Sequence, residues 1–173
     1  MFSKYLFPIL ISFGLLLYFA VETTATTTTG TLISQIYDSQ IAGGVAYNAL
    51  RWTGNKPANT AVWFQIASSK CSNGADNPPT CDTNAGWGSP KTSGSGAFVG
   101  PLGTAGEGES YWYRPEPNVW VKIDGPAGSG AGCVYSGLPC HNNSRYFRYR
   151  MRLVSTKIGS TPRVDEVTLS WSP

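Results

Sequence analysis

From Thr31 onward, apolar and polar residues alternate repeatedly with the two-residue period of a β-strand. In TAVWFQIA (60–67), Val62, Phe64 and Ile66 fall on one face and Trp63 and Gln65 on the other. In RYFRYRMRLVS (145–155), Phe147, Tyr149, Met151 and Leu153 share a face, and Tyr146, Arg148, Arg150 and Arg152 share the opposite one. VDEVTLSWS (164–172) places Val167, Leu169 and Trp171 inward, and Val164 is out of phase, which predicts a bulge near Asp165. TLISQIYD (31–38), AYNALRW (46–52), AFVG (97–100), SYWYR (110–114) and VWVKID (119–124) add shorter stretches, and in the last of these Val119, Val121 and Ile123 share a face. The total is about eight strands. Strands that are apolar on one face must bury it against another sheet. The expected fold is therefore all-β: an antiparallel β-sandwich, jelly-roll-like in its connections, preceded by one N-terminal hydrophobic helix.

Three segments differ in composition. Residues 1–21 hold a basic start at Lys4 and an uncharged run from Tyr5 to Val21, and read as a signal peptide or a membrane anchor. Thr23-Thr24-Ala25 is the best small-residue cleavage site, and no Cys follows the run to accept a lipid. Residues 22–30 form a Thr-rich linker, and residues 31–173 form the sandwich domain. Both readings of the first segment direct the chain outward, so an extracytoplasmic location is expected: at the cell surface, membrane-anchored, or secreted.

Charged residues make up only 13% of the chain and the net charge is +3, which argues little about partners. The four cysteines, Cys71, Cys81, Cys133 and Cys140, bound two short loops, CSNGADNPPTC and CVYSGLPC. Two local disulfides suit that spacing and an oxidising compartment. Metal ligation is the rival reading, and it lacks a C-x-x-C pair.

The end of the chain, HNNSRYFRYRMRLVS followed by TPRVDEVTLSWSP, resembles the last two strands of a β-sandwich module found in bacterial surface and pilin-like proteins, common in candidate-phyla bacteria. GTLISQIYDSQ, ALRWTG, TAVWFQIASS and FVGPLGT fit the same pattern in order, over roughly residues 30–173. The resemblance implies an extracellular sandwich with no catalytic residues to carry over. Many relatives begin as type IV prepilins, with a Glu five residues into the helix. Here the apolar run contains no acid, and Glu22 comes only after it.

Little in the chain suggests catalysis. A Ser–His–Asp triad would have to use His141, the only histidine, and no Gly-rich stretch has the Lys of a phosphate loop. No cofactor is expected. Asp76 and Asp82, with Asn77 and Asn84, are candidate calcium ligands around one Cys loop, although their spacing does not match an EF-hand. The Arg148, Arg150, Arg152 stripe reads as a solvated face whose stems cover Tyr146, or as a contact for an anionic polymer. Trp63, Trp112 and Trp120 fall off the apolar faces and are candidate platforms for sugar rings or protein contacts, or else pack under a loop.

The function expected is a non-enzymatic cell-surface or secreted module with a structural or adhesive role. A carbohydrate-binding module and a minor pilin-like filament subunit are the alternatives. Its partners would be extracellular macromolecules, glycans among them, with the membrane reached through the N-terminal segment. Self-assembly is compatible with this reading, and specific nucleic-acid recognition is not expected.

Overall fold

The computed structural model describes residues 27–75, 81, 86–88, 91, 94–123 and 141–173. The N-terminal apolar run, Cys133, Cys140, Asp76 and Asp82 lie outside the described residues. No helix among the described residues is long and apolar enough to cross a membrane.

Among the described residues the fold is all-β, with two antiparallel sheets in a β-sandwich-like arrangement and a single 3-10 turn, Glu109–Tyr111. The strands are β1 (Thr28–Ile33), β2 (Tyr37–Asp38), β3 (Ala46–Asn55), β4 (Thr60–Ser69), β5 (Val121–Lys122), β6 (Tyr146–Ser155) and β7 (Arg163–Ser172). In the first sheet β6 is central. β4 runs along one side of it from Thr60↔Ser155 to Ser69↔Tyr146. β1 lies on the other side from Thr28↔Ser155 to Ile33↔Arg150, followed by β2 at Tyr37↔Phe147. The second sheet has the order β5-β3-β7.

The stretch 31–38, expected as one strand, is two, because Ser34 enters the ladder with its side chain. Its hydroxyl accepts from the Tyr149 N–H at 3.0 Å and its own N–H donates to the Tyr149 carbonyl at 2.9 Å. β1 also begins at Thr28, so the end of the Thr-rich stretch is paired in the sheet.

The core lies between the sheets. β3 contributes Tyr47, Leu50 and Trp52, β4 contributes Val62, Phe64 and Ile66, and β6 contributes Phe147 and Met151. Tyr149, Leu153, Val164, Val167 and Leu169 pack against them, half-buried. Two bulges make this possible. The β3–β7 register slips between Tyr47 and Ala49, so Asn48 is the extra residue and Tyr47 and Leu50 both face inward. It slips again between Thr53↔Glu166 and Gly54↔Val164, leaving Asp165 unopposed, as the phase break at Val164 predicts. Gly54 sits at that second bulge with φ +149°, and a Cβ there would lie 2.0 Å from the Arg163 carbonyl oxygen.

Three expectations need correction. AFVG and SYWYR are not strands. Each touches the free side of β4 at one residue, Val99 opposite Ile66 and Tyr113 opposite Phe64. Pro101 and Pro115 cannot donate to a ladder, and Gly100 is pressed against the Tyr111 carbonyl oxygen, with 2.0 Å left for a Cβ. Val119 does not share the burial of Val121 and Ile123, because its N–H closes a turn onto Glu116 and β5 starts two residues later. Trp171 is 37% exposed and outside the core, since it lies beyond Leu169, the last residue of β7 that the core reaches.

Candidate functional site

Three surfaces collect the side chains with chemical potential. The first is the outer face of the first sheet. Register sets Trp63 opposite Arg152, Gln65 opposite Arg150 and Ala67 opposite Arg148, so the arginine stripe and Trp63 share that face, as the alternation predicts. The expected exposure is not found there. The loop between Val99 and Tyr113 folds over the face, leaving Trp63 9% and Trp112 2% exposed. The two indoles pack 6.3 Å apart, with Val154, Ala61 and Tyr111 around them.

The arginines are satisfied within this layer. The Arg150 and Arg152 guanidiniums stack on Trp112 at 4.8 and 4.4 Å, and both ion-pair with Glu107. Gln65, fully buried, accepts from Arg150 and donates to the carbonyls of Gly106 at 2.7 Å and Tyr111 at 3.0 Å. Arg148 donates to the Ser34 carbonyl at 2.9 Å and lies over Trp87, and Tyr146 sits under the Arg145 guanidinium at 5.2 Å. Arg145 grips Asp38 with two hydrogen bonds of 2.8 and 2.9 Å, which holds that carboxyl below its ordinary range. The stripe is neither a solvated face nor an open cationic track. It anchors a loop. Sequence reasoning missed Gln65 and Glu107, because only the strand pairing shows which residues the stripe faces.

The second surface is the β1–β2 edge. β1 is paired on one side only among the described residues, and all six of its residues are exposed. Leu32 and Ile33 are 48% and 49% exposed, and Ile36, Tyr37 and Ile41 continue the apolar surface. No charge occurs from Thr23 through Tyr37. The far side of β4 is different, since the Val99 and Tyr113 bridges block it.

The third surface is the outer face of the second sheet. Register pairs Ala49 with Lys122 and Leu50 with Val121, and continuing it sets Trp120 opposite Arg51. Trp120 is 46% exposed, with the Arg51 guanidinium 5.0 Å from its ring centre. The segment leading to it is fastened to the core at Trp52, whose indole donates to the Pro115 carbonyl at 2.9 Å and whose own carbonyl accepts from Asn118 at 2.8 Å.

Cys71 and Cys81 form a disulfide, with Cα atoms 6.1 Å apart. His141 is buried, with Nδ1 2.8 Å from the Ser68 hydroxyl, and burial pushes its pKa down to about 4. The described residues contain no group of three His, Cys, Asp or Glu side chains placed to hold a metal.

Comparison with known proteins returns no match to a protein-family model, to a curated protein or to a solved structure.

Proposed function

We propose that the chain is a non-enzymatic, extracytoplasmic β-sandwich module of jelly-roll type with a structural or adhesive role, and that it pairs with a second copy of itself along the β1 edge. The observation that carries this reading is the uncharged, half-paired strand Thr28–Ile33, which ends in the exposed apolar pair Leu32 and Ile33. Soluble domains blunt such edges with Lys, Pro or bulges, because a bare row of backbone donors and acceptors is a template for another strand. Here none of these devices is present, and an identical uncharged edge meets its copy without like-charge repulsion. The jelly-roll reading is supported by chain steps from one sheet to the other at β2–β3, β3–β4 and β6–β7. The resemblance of residues 30–173 to bacterial surface modules supports the location. The burial of the lone histidine against Ser68 supports a non-catalytic role.

Sedimentation velocity on the full chain in mild detergent tests the pairing, with Leu32→Lys and Ile33→Lys beside it. Concentration-dependent dimers that become monomers in both variants are expected. A monomer at all concentrations, or a dimer indifferent to the two lysines, would sink the edge assignment.

A carbohydrate-binding role is the second reading, favoured by one observation: the exposed indole of Trp120.

A further inference from the structure

The sugar-binding alternative loses two of its three tryptophans to the covered layer, yet the third stands in a different setting. Trp120 and Lys122 border an open cleft of about 530 Å³ that also takes in Pro101, Pro115, Val119 and Glu116. Arg51 does not line this cleft, so its guanidinium holds the indole from outside it. An indole fixed in this way offers a flat, preoriented ring to a ligand without first having to be ordered.

Among the described residues Arg51, Lys70, Lys122, Arg148 and Lys157 have no carboxylate partner, and two of them, Arg51 and Lys122, stand together here. Arg114, Arg145, Arg150, Arg152 and Arg163 each have a carboxylate partner, as does Lys56. Arg51 and Lys122 stand on the same sheet face beside the exposed indole. Arg51 Nε and the Thr168 hydroxyl, cross-strand neighbours in the β3–β7 ladder, are buried there without a hydrogen-bond partner. The outward positions flanking Arg51 on β3, Ala49 and Thr53, are small, and the nearest carboxylate of that face, Glu166 opposite Thr53, stands on β7, across β3 from the ring. The site therefore combines an aromatic platform, the proline ring of Pro101 and, in Lys122, a cation with no carboxylate partner among the described residues.

We propose that this cleft binds an acidic sugar. The apolar C–H face of a pyranose stacks on Trp120, its carboxylate takes Lys122, and Glu116 and backbone groups at the cleft wall meet its hydroxyls. An extended peptide is a poorer occupant. Among the described residues β5 offers a free edge of only two residues, too short to hold a strand by main-chain bonding, so recognition here must come from ring stacking and charge. Arg51 is a positioning residue, acting through the ring that it holds. This inference is independent of the edge pairing proposed above.

The test is a titration of the full chain in mild detergent with hexagalacturonate, its neutral methyl ester and hexaglutamate. The readout is the indole N–H resonance of Trp120, assigned by its loss in Trp120→Ala. Hexagalacturonate is expected to shift that resonance and to bind more tightly than the ester. Trp120→Ala should weaken binding about tenfold or more. Lys122→Gln, at an exposed position, should keep the fold and abolish the preference for acid over ester. No shift with the acid, or an equal response to the ester, would overturn the proposal. Tighter binding of hexaglutamate would overturn it in favour of an acidic polypeptide.

Discussion

Gln65 and Arg150 face each other across the β4–β6 ladder, and the Gln65 side-chain carbonyl accepts from the Arg150 guanidinium. The amide end of Gln65 meanwhile donates to Gly106 and Tyr111 in the covering loop. One buried side chain thus joins the strand, the arginine stripe and the loop that hides two tryptophans. Gln65→Leu removes both functions while keeping similar bulk. It leaves the Gly106 and Tyr111 carbonyls without this donor and strips Arg150 of one acceptor. The expected cost is roughly 3 kcal/mol. A lower urea midpoint with an unchanged slope is the measurement. A midpoint equal to that of the parent would show that the loop is held by other contacts.

The tryptophans should separate by burial. Trp63→Ala and Trp112→Ala each empty part of the outer layer and should cost roughly 3–5 kcal/mol. Trp120, 46% exposed, should cost no more than about 1 kcal/mol on the same change. Equilibrium unfolding of the three variants side by side gives this ranking directly.

His141 makes the fold sensitive to acid. Its folded pKa is lowered by burial to about 4, against 6.5 in an exposed chain, so the unfolded state takes up a proton first as the pH falls. Stability is therefore full above about pH 6.5, declines between there and about pH 4, and by then has lost up to roughly 3 kcal/mol. Asp38 acts in a lower window. Its carboxyl is held down by the Arg145 hydrogen bond, so its contribution persists until the pH falls below the ordinary value of 3.8. His141→Asn removes the titrating ring and tolerates the positive φ of 62° at that position. The stability–pH slope between pH 4 and 6.5 should flatten in that variant, and an unchanged slope would exonerate His141.

The Cys71–Cys81 bridge closes a loop with a sequence separation of 10. In the chain-entropy account its loss costs roughly 2–3 kcal/mol. Paired serine replacements are a cleaner test than a reductant, which would also reach Cys133 and Cys140. The thermal midpoint of Cys71→Ser/Cys81→Ser should fall by several degrees, and an unchanged midpoint would mean that the loop is held without it.

Much of the fold was legible along the chain. Strands β4, β6 and β7 coincide with the clearest alternation and β3 with one of the shorter stretches, and the out-of-phase Val164 marked the bulge at Asp165. Legibility stopped where a local pattern met a non-local partner. AFVG and SYWYR have strand composition, yet their prolines and Gly100 allow only one paired residue each. The other bulge, at Asn48, left no mark because small Ala46 and Ala49 read alike on either face. The candidate sites divide in the same way. Trp63, Arg150 and Arg152 do point away from the inter-sheet core, but alternation says nothing about what then covers them.

The sequence by itself determined the class of structure. Period-two burial, abundant turn formers and one-sided strands leave packed antiparallel sheets as the way to remove apolar faces from water. Tertiary structure alone decided which outward residues are available. The loop over the β4–β6 face converts an apparent aromatic and basic surface into a second buried layer, with Glu107 neutralising two of its arginines. The same structure leaves Leu32, Ile33 and Trp120 open. The physical reason is that strand periodicity is a local property, set by alternating side-chain direction, whereas exposure depends on elements tens of residues away that share no period with the strand they cover.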